Sequence, residues 1–208
     1  MKIALITFTL LFSTLAWSHP HSFIDMKTEF ISDNQHLTGM KMVWTMDEIT
    51  SADLLYDAGK AKPGDVVWKK LAAQVMANVL GQHYFSEVWQ DKTRVKFLNL
   101  PKEYNLSRNG NKAVLELIVP FGEPQSLSAK QYRIQTFDPS YFVDMYYDNP
   151  QALTMDETVK AHCQIDLHTP KPDDSLKQYA LSLDKADAPP EDMDLGQQFA
   201  QTVTLTCH

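Results

Sequence analysis

His19 and His21 flank Pro20, directly after Ala16-Trp17-Ser18. On an extended chain, residues two apart point to the same side, so the two imidazoles can converge on one ion. Imidazole nitrogen is a ligand for zinc, nickel and copper. Residues 1–18 read as a secretory signal. Lys2 is the positive start, residues 3–15 are mostly apolar, and Ala16 and Ser18 are the small residues a signal peptidase reads. Cleavage after Ser18 would place a free α-amine on His19 as a third nitrogen. The amine (unperturbed pKa about 7.7–8.0) and imidazole (about 6.5) both lose their protons near neutrality, which would make metal binding pH-dependent. Pro20 has no amide hydrogen. It therefore blocks the square-planar chelate in which two backbone amides and a third-position histidine bind copper or nickel. Further ligands must come from the fold. Asp47 and His83 are the first candidates to complete the set, with Asp25, Glu48 and Asp138 also available.

The two cysteines, Cys163 and Cys207, are the other reactive pair. In an exported chain an even pair reads as a disulfide, which would tie the last strand to the core. His162 and His208 each adjoin one of them, so a bridge would bring these histidines near each other, with His168 close by. His36 falls in a turn. The run Phe137-Asp138-Pro139-Ser140-Tyr141-Phe142 combines an Asp-Pro turn signal with three rings that either pack a core edge or line a cleft. There is no Gly-rich phosphate loop, no Gly-x-Ser-x-Gly elbow and no His-Glu-x-x-His in the sequence.

These groups need a frame, and the frame reads as mostly strand. Residues 22–31 alternate, with Phe23, Asp25, Lys27 and Glu29 against Ile24, Met26, Thr28 and Phe30. Asp33-Asn34 marks a turn, and residues 37–46 return as the second arm of a hairpin. There Met40, Met42, Trp44 and Met46 share a face, which reads as core packing. The period then lengthens. Residues 47–53 begin a short helix that Thr50 or Ser51 could cap. Pro63 and Asp65 open a second helix carrying Val67, Leu71, Val75 and Val79, stopped by Gly81. Strands are expected over 83–89, 94–98, 113–119, 131–137, 162–168 and 201–207, with a turn at Asn109-Gly110-Asn111. Residues 175–181 suit a short helix, and residues 186–194 a loop. The sum is an α+β fold: a mainly antiparallel β-sandwich-like domain with an inserted pair of helices.

Composition sets outer limits. The 208 residues are 44% hydrophobic and carry a net charge of −7. That balance excludes the basic footprint of nucleic-acid binding and disfavours anionic lipid. The apolar opening stretch is shorter than the roughly 20 residues of a membrane span. The expected organisation is a signal peptide over 1–18 and a single periplasmic β-rich domain over 19–208.

The order of the leader, His19-Pro20-His21, Trp44 with Asp47-Glu48 and Ser51, Tyr132, and Asp138-Pro139-Ser140-Tyr141-Phe142 resembles the bacterial domain-of-unknown-function 1007 family. These are exported proteins described as periplasmic components of ABC-type transport systems. Some are similar to zinc-utilisation accessory proteins encoded beside a nickel/cobalt-type membrane transporter. The resemblance implies a metal-handling role with a divalent transition metal (Zn, Ni or Co) and an inner-membrane metal transporter or permease as partner. It carries metal ligands only onto His19 and His21. The expectation is a binding protein and not an enzyme. Two alternatives stand beside it. One is a copper-dependent oxidative enzyme built on an amino-terminal histidine, similar to lytic polysaccharide monooxygenases. The other is a transporter-docking module that binds no metal.

Overall fold

A computed structural model describes residues 20–183, 189–190 and 193–208. The leader, His19 and most of the 186–194 stretch fall outside the described residues. Two sheets face each other across one core. The first holds β1 (Ser22–Asp33), β2 (His36–Met46), β5 (Glu103–Asn109), β6 (Lys112–Ser126), β8 (Val143–Tyr146) and β9 (Leu153–Met155), in the order β5-β6-β2-β1-β8 with β9 also on β1. The second holds β3 (Ser86–Gln90), β4 (Thr93–Val95), β7 (Gln131–Thr136), β10 (Cys163–His168) and β11 (Thr202–Cys207), in the order β10-β11-β7-β3-β4. All pairings are antiparallel except β1 with β8 and β1 with β9. The α+β sandwich expected from the strand periodicity is the fold of this chain.

Alternation explains the core. Met26 and Phe30 of β1, Met40, Met42 and Trp44 of β2, and Leu115, Leu117 and Val119 of β6 are all buried. Tyr132 and Ile134 of β7 and Val203 and Leu205 of β11 meet them from the other sheet. The Met-Trp stripe is therefore packing. Two buried polar pairs sit within this apolar layer. Thr28 Oγ1 lies 3.0 Å from Tyr147 Oη, and Ser86 Oγ lies 2.9 Å from Thr136 Oγ1. Burial pushes the Tyr147 phenol up to about 12, so it stays protonated and bonded.

The inserted helices follow the first hairpin in the chain and pack on β6 and β5. α1 (Glu48–Ala58) and α2 (Val66–Gly81) are the inserted pair, and α2 buries Trp68, Leu71, Ala72, Met76 and Val79. Val67 is displaced from the expected stripe and is exposed. The cap of α1 is Asp47, not Thr50 or Ser51. Asp47 holds the extended ψ of 169° that an N-cap needs. Ser51 is buried instead, accepting from Ala113 N at 2.8 Å. Among the described residues three short helices follow: α3 (Glu157–His162), α4 (Asp174–Ser182) and α5 (Leu195–Phe199). The helix expected over 175–181 is α4, whereas α3 and α5 are too short to show a helical period.

Residues 83–85 do not extend β3 as periodicity suggested. His83, Tyr84 and Phe85 have φ of 49°, 60° and 51°, a left-handed turn. The strand begins at Ser86.

Cys163 and Cys207 sit opposite each other on β10 and β11 and form a disulfide. Both are buried. Their sequence separation is 44, which in the chain-entropy account gives about 4 kcal/mol of stabilisation. Replacing both with serine should therefore lower the urea-unfolding free energy by about 2–5 kcal/mol; an unchanged midpoint would show that the bridge adds nothing to the sheet.

Candidate functional site

The chain enters the fold at His21, whose backbone N–H donates to Phe142 O at 2.9 Å. That bond starts the parallel pairing of β1 with β8, in which Phe23 aligns with Asp144 and Asp25 with Tyr146. Ile24 and Met26 point into the core, so Phe23 and Asp25 point out, while His21, just ahead of the strand, is half-buried with its Nε2 enclosed. Met145 of β8 and Tyr147 just after it point inward, so Asp144 and Tyr146 share the outer face. The His21 imidazole packs on the Phe142 ring, centroids 4.8 Å apart.

This end of the sheet is acidic. Burial raises the Asp144 carboxyl above its ordinary range. The Tyr146 phenol is raised by burial first, then by the charges of Asp25, Asp144, Asp148 and Asp47. Four carboxylates therefore act on one hydroxyl beside the point where the opening histidines join the domain. Of these, Asp144, Tyr146 and Asp148 were not identified from the sequence. The pairing that brings β8 to β1 leaves no local signal in either strand.

Asp47 belongs to the same corner but is already engaged. One carboxylate oxygen accepts from Ile49 N (2.8 Å) and Thr50 N (2.9 Å), while the other accepts from Phe23 N (2.7 Å) and the Thr50 hydroxyl. Thr50 Oγ1 in turn accepts from the Ser22 hydroxyl, the two oxygens 2.9 Å apart. Asp47 thus staples α1 to the start of β1. Asp138 is used in a similar way. Its carboxylate accepts from Ser140 N and Oγ and from Val143 N, closing the turn that aims Phe142 at His21. Tyr141 in that turn stacks on Phe199 of α5, centroids 4.0 Å apart. Burial, then the Asp144 charge, raise its phenol well above the ordinary range. Gly196 of α5 donates to Pro139 O at 3.0 Å, and a Cβ there would collide with Asp138 O.

The remaining candidates lie elsewhere. His83 lines a groove with Leu80, Arg94 and Lys96 beside β4. Glu48 is exposed in the first turn of α1. His162 and His208 do adjoin across the disulfide, His208 N donating to His162 O at 2.9 Å. His19 is outside the described residues. Among the described residues no three His, Cys, Asp or Glu side chains form a group that could hold a metal ion. The described part of the corner thus supplies one imidazole and partly buried carboxylates, and any complete ligand set must draw on the opening residues.

Taken together, fold and corner define an α+β sandwich protein with a histidine set against an acidic sheet edge. Residues 4–207 match the family described as "Protein of unknown function (DUF1007)". The chain belongs to that family. It is also similar to an uncharacterized protein of Haemophilus influenzae, 36% identical over 191 residues that cover 91% of each chain.

Two outcomes test this corner. Burial opposes ionisation of Asp47, but the bonds from Thr50, Phe23 and Ile49 outweigh it and hold its carboxyl below the ordinary range. A group so depressed stabilises the fold above its unfolded pKa of about 3.9 and loses that contribution as pH falls through its folded value. Asp47→Ala should cost about 2 kcal/mol at pH 7, and the gap to the parent should narrow below about pH 4; a gap independent of pH in urea titrations would contradict the charge-assisted cap. Gly196→Ala should cost about 1–3 kcal/mol through forced displacement of α5, read as a lowered Tm, with a neutral result showing that α5 does not brace the turn.

Proposed function

We propose that this protein is a periplasmic metal-handling accessory protein. It binds a divalent transition metal (zinc, nickel or cobalt) as cargo and works with an inner-membrane metal transporter or permease. The observation that carries this reading is the placement of His21 beside the aspartates around Tyr146, where the opening residues join the domain. A field of carboxylates draws cations to that corner. His21 supplies one imidazole, and His19 with its freed amine would supply two further nitrogens. Asp144 is the carboxylate best suited to complete the set. It lies on the outer face, is partly desolvated, and among the described residues its carboxylate holds no backbone group as those of Asp47 and Asp138 do. Asp47 and Asp138 are less suited because their oxygens already hold the backbone.

Export is supported by the leader-like opening and by the buried disulfide, which suits an oxidising compartment. Among the described residues no helix is long and apolar enough to cross a membrane. An open set of nitrogen and carboxylate ligands fits transfer better than a closed four-ligand structural site.

Calorimetric titration of Zn²⁺ or Ni²⁺ into the processed protein should show about one site. His21→Ala should weaken it at least tenfold, and Asp144→Asn should weaken it by a smaller factor. Absence of both heat and a thermal shift at micromolar metal would overturn the reading.

A further inference from the structure

The left-handed turn at residues 83–85 is strained backbone that lies apart from the acidic corner. Left-handed backbone is unfavourable for a residue bearing a Cβ, and here three such residues follow one another. The surroundings hold them there. Phe85 N donates to Gln82 O at 2.8 Å and Phe85 O accepts from Phe137 N at 2.8 Å. Tyr84 is buried, and its hydroxyl donates to Leu98 O at 3.0 Å. Strain of this kind persists where the structure over-determines it and gathers at binding sites. The turn fixes Tyr84 in the floor of a groove and His83 at its lip.

The groove has a volume of about 550 Å³, within the range of small-molecule sites. Tyr84, Phe97 and Leu98 give it an apolar lining, and His83, Arg94 and Lys96 give it basic groups. Among the described residues no carboxylate lines it, although the whole chain carries a net charge of −7. Arg94 is bridged to Glu87 at 2.9 Å. Lys96 makes no ion pair among the described residues. Leu98 stays half exposed beside these charges, an apolar contact left open to solvent.

We propose that this groove binds a small organic anion with an aromatic or aliphatic body. The body lies against Tyr84, Phe97 and Leu98, and the anionic head meets Lys96, with His83 as a second donor. The site shares no residue with the proposed metal corner, so the two readings stand or fall separately.

The test uses 8-anilinonaphthalene-1-sulfonate as the anionic probe and N-phenyl-1-naphthylamine as its uncharged counterpart, with the folded, metal-free chain. The expected result is one saturable fluorescence site for the sulfonate, at least tenfold tighter than for the neutral probe. Lys96→Glu and Leu98→Asp, both at exposed positions, should each weaken it at least tenfold, with near-ultraviolet circular dichroism unchanged. His21→Ala should leave it intact. Equal binding of the two probes, binding that survives both groove substitutions, or no saturable binding would each overturn the proposal.

Discussion

β1 is hydrogen-bonded along both of its edges, antiparallel to β2 on one side and parallel to β8 and β9 on the other. A strand so placed has no freedom of register. Ile24, Met26, Thr28 and Phe30 must face the second sheet, because a one-residue slip would send all four to solvent. The outward positions of Phe23 and Asp25 follow from that same constraint. The core therefore fixes the strand onto which His21 leads, and the bond from His21 N to Phe142 O sets where that histidine enters the sheet. The partner strand supplies the rest, since Met145 and Tyr147 are drawn inward and leave Asp144 and Tyr146 on the outside.

The hairpin of β1 and β2, the inserted helical pair and the cysteine bridge were legible because each is written in a short, periodic or paired signal. Met40, Met42, Trp44 and Met46 could be placed in the core from period alone. What was not legible depends on distant partners. Asp47 caps α1, not Thr50, because Phe23 N from β1 approaches the second carboxylate oxygen. Ser51 looks like a capping residue, yet its hydroxyl is consumed by the backbone of β6. His83 and Tyr84 carry strand-like composition, but burial of the Tyr84 ring and its bond to Leu98 O hold the chain left-handed. At the candidate site, His21 and Asp47 could be named from sequence, whereas Asp144 could not. Its relevance comes from a parallel pairing with a strand more than a hundred residues earlier.

The aromatic run after β7 shows how packing and site geometry are joined. Asp138 folds the turn on itself, Tyr141 leaves it in a left-handed conformation, and Phe142 accepts the backbone of His21 and Ser22. The small cluster of Ala180, Leu183 and Leu195, with Tyr141 and Phe199 against it, covers this turn from outside. Its rings are thus structural. They shape the ledge on which the opening residues rest, and a ligand set on the outer face would have the turn as its wall.

The C-terminal strand carries that arrangement back to the disulfide. β11 runs between β10 and β7, and Cys207 closes its end onto Cys163. Just before β11, the Gln201 side chain accepts from Tyr147 N at 2.6 Å and donates to Tyr147 O at 3.2 Å, which pins the exit of β8. Gly196, five residues earlier, presses α5 against the turn that enters β8. β8 itself pairs with β1 through only four register positions, a short contact of the kind that opens locally before the whole domain unfolds. Its two ends are nevertheless held by one continuous stretch of chain that the bridge anchors. The strand that carries Asp144 is thus braced before and after by residues of the segment that runs into the disulfide-closed strand β11.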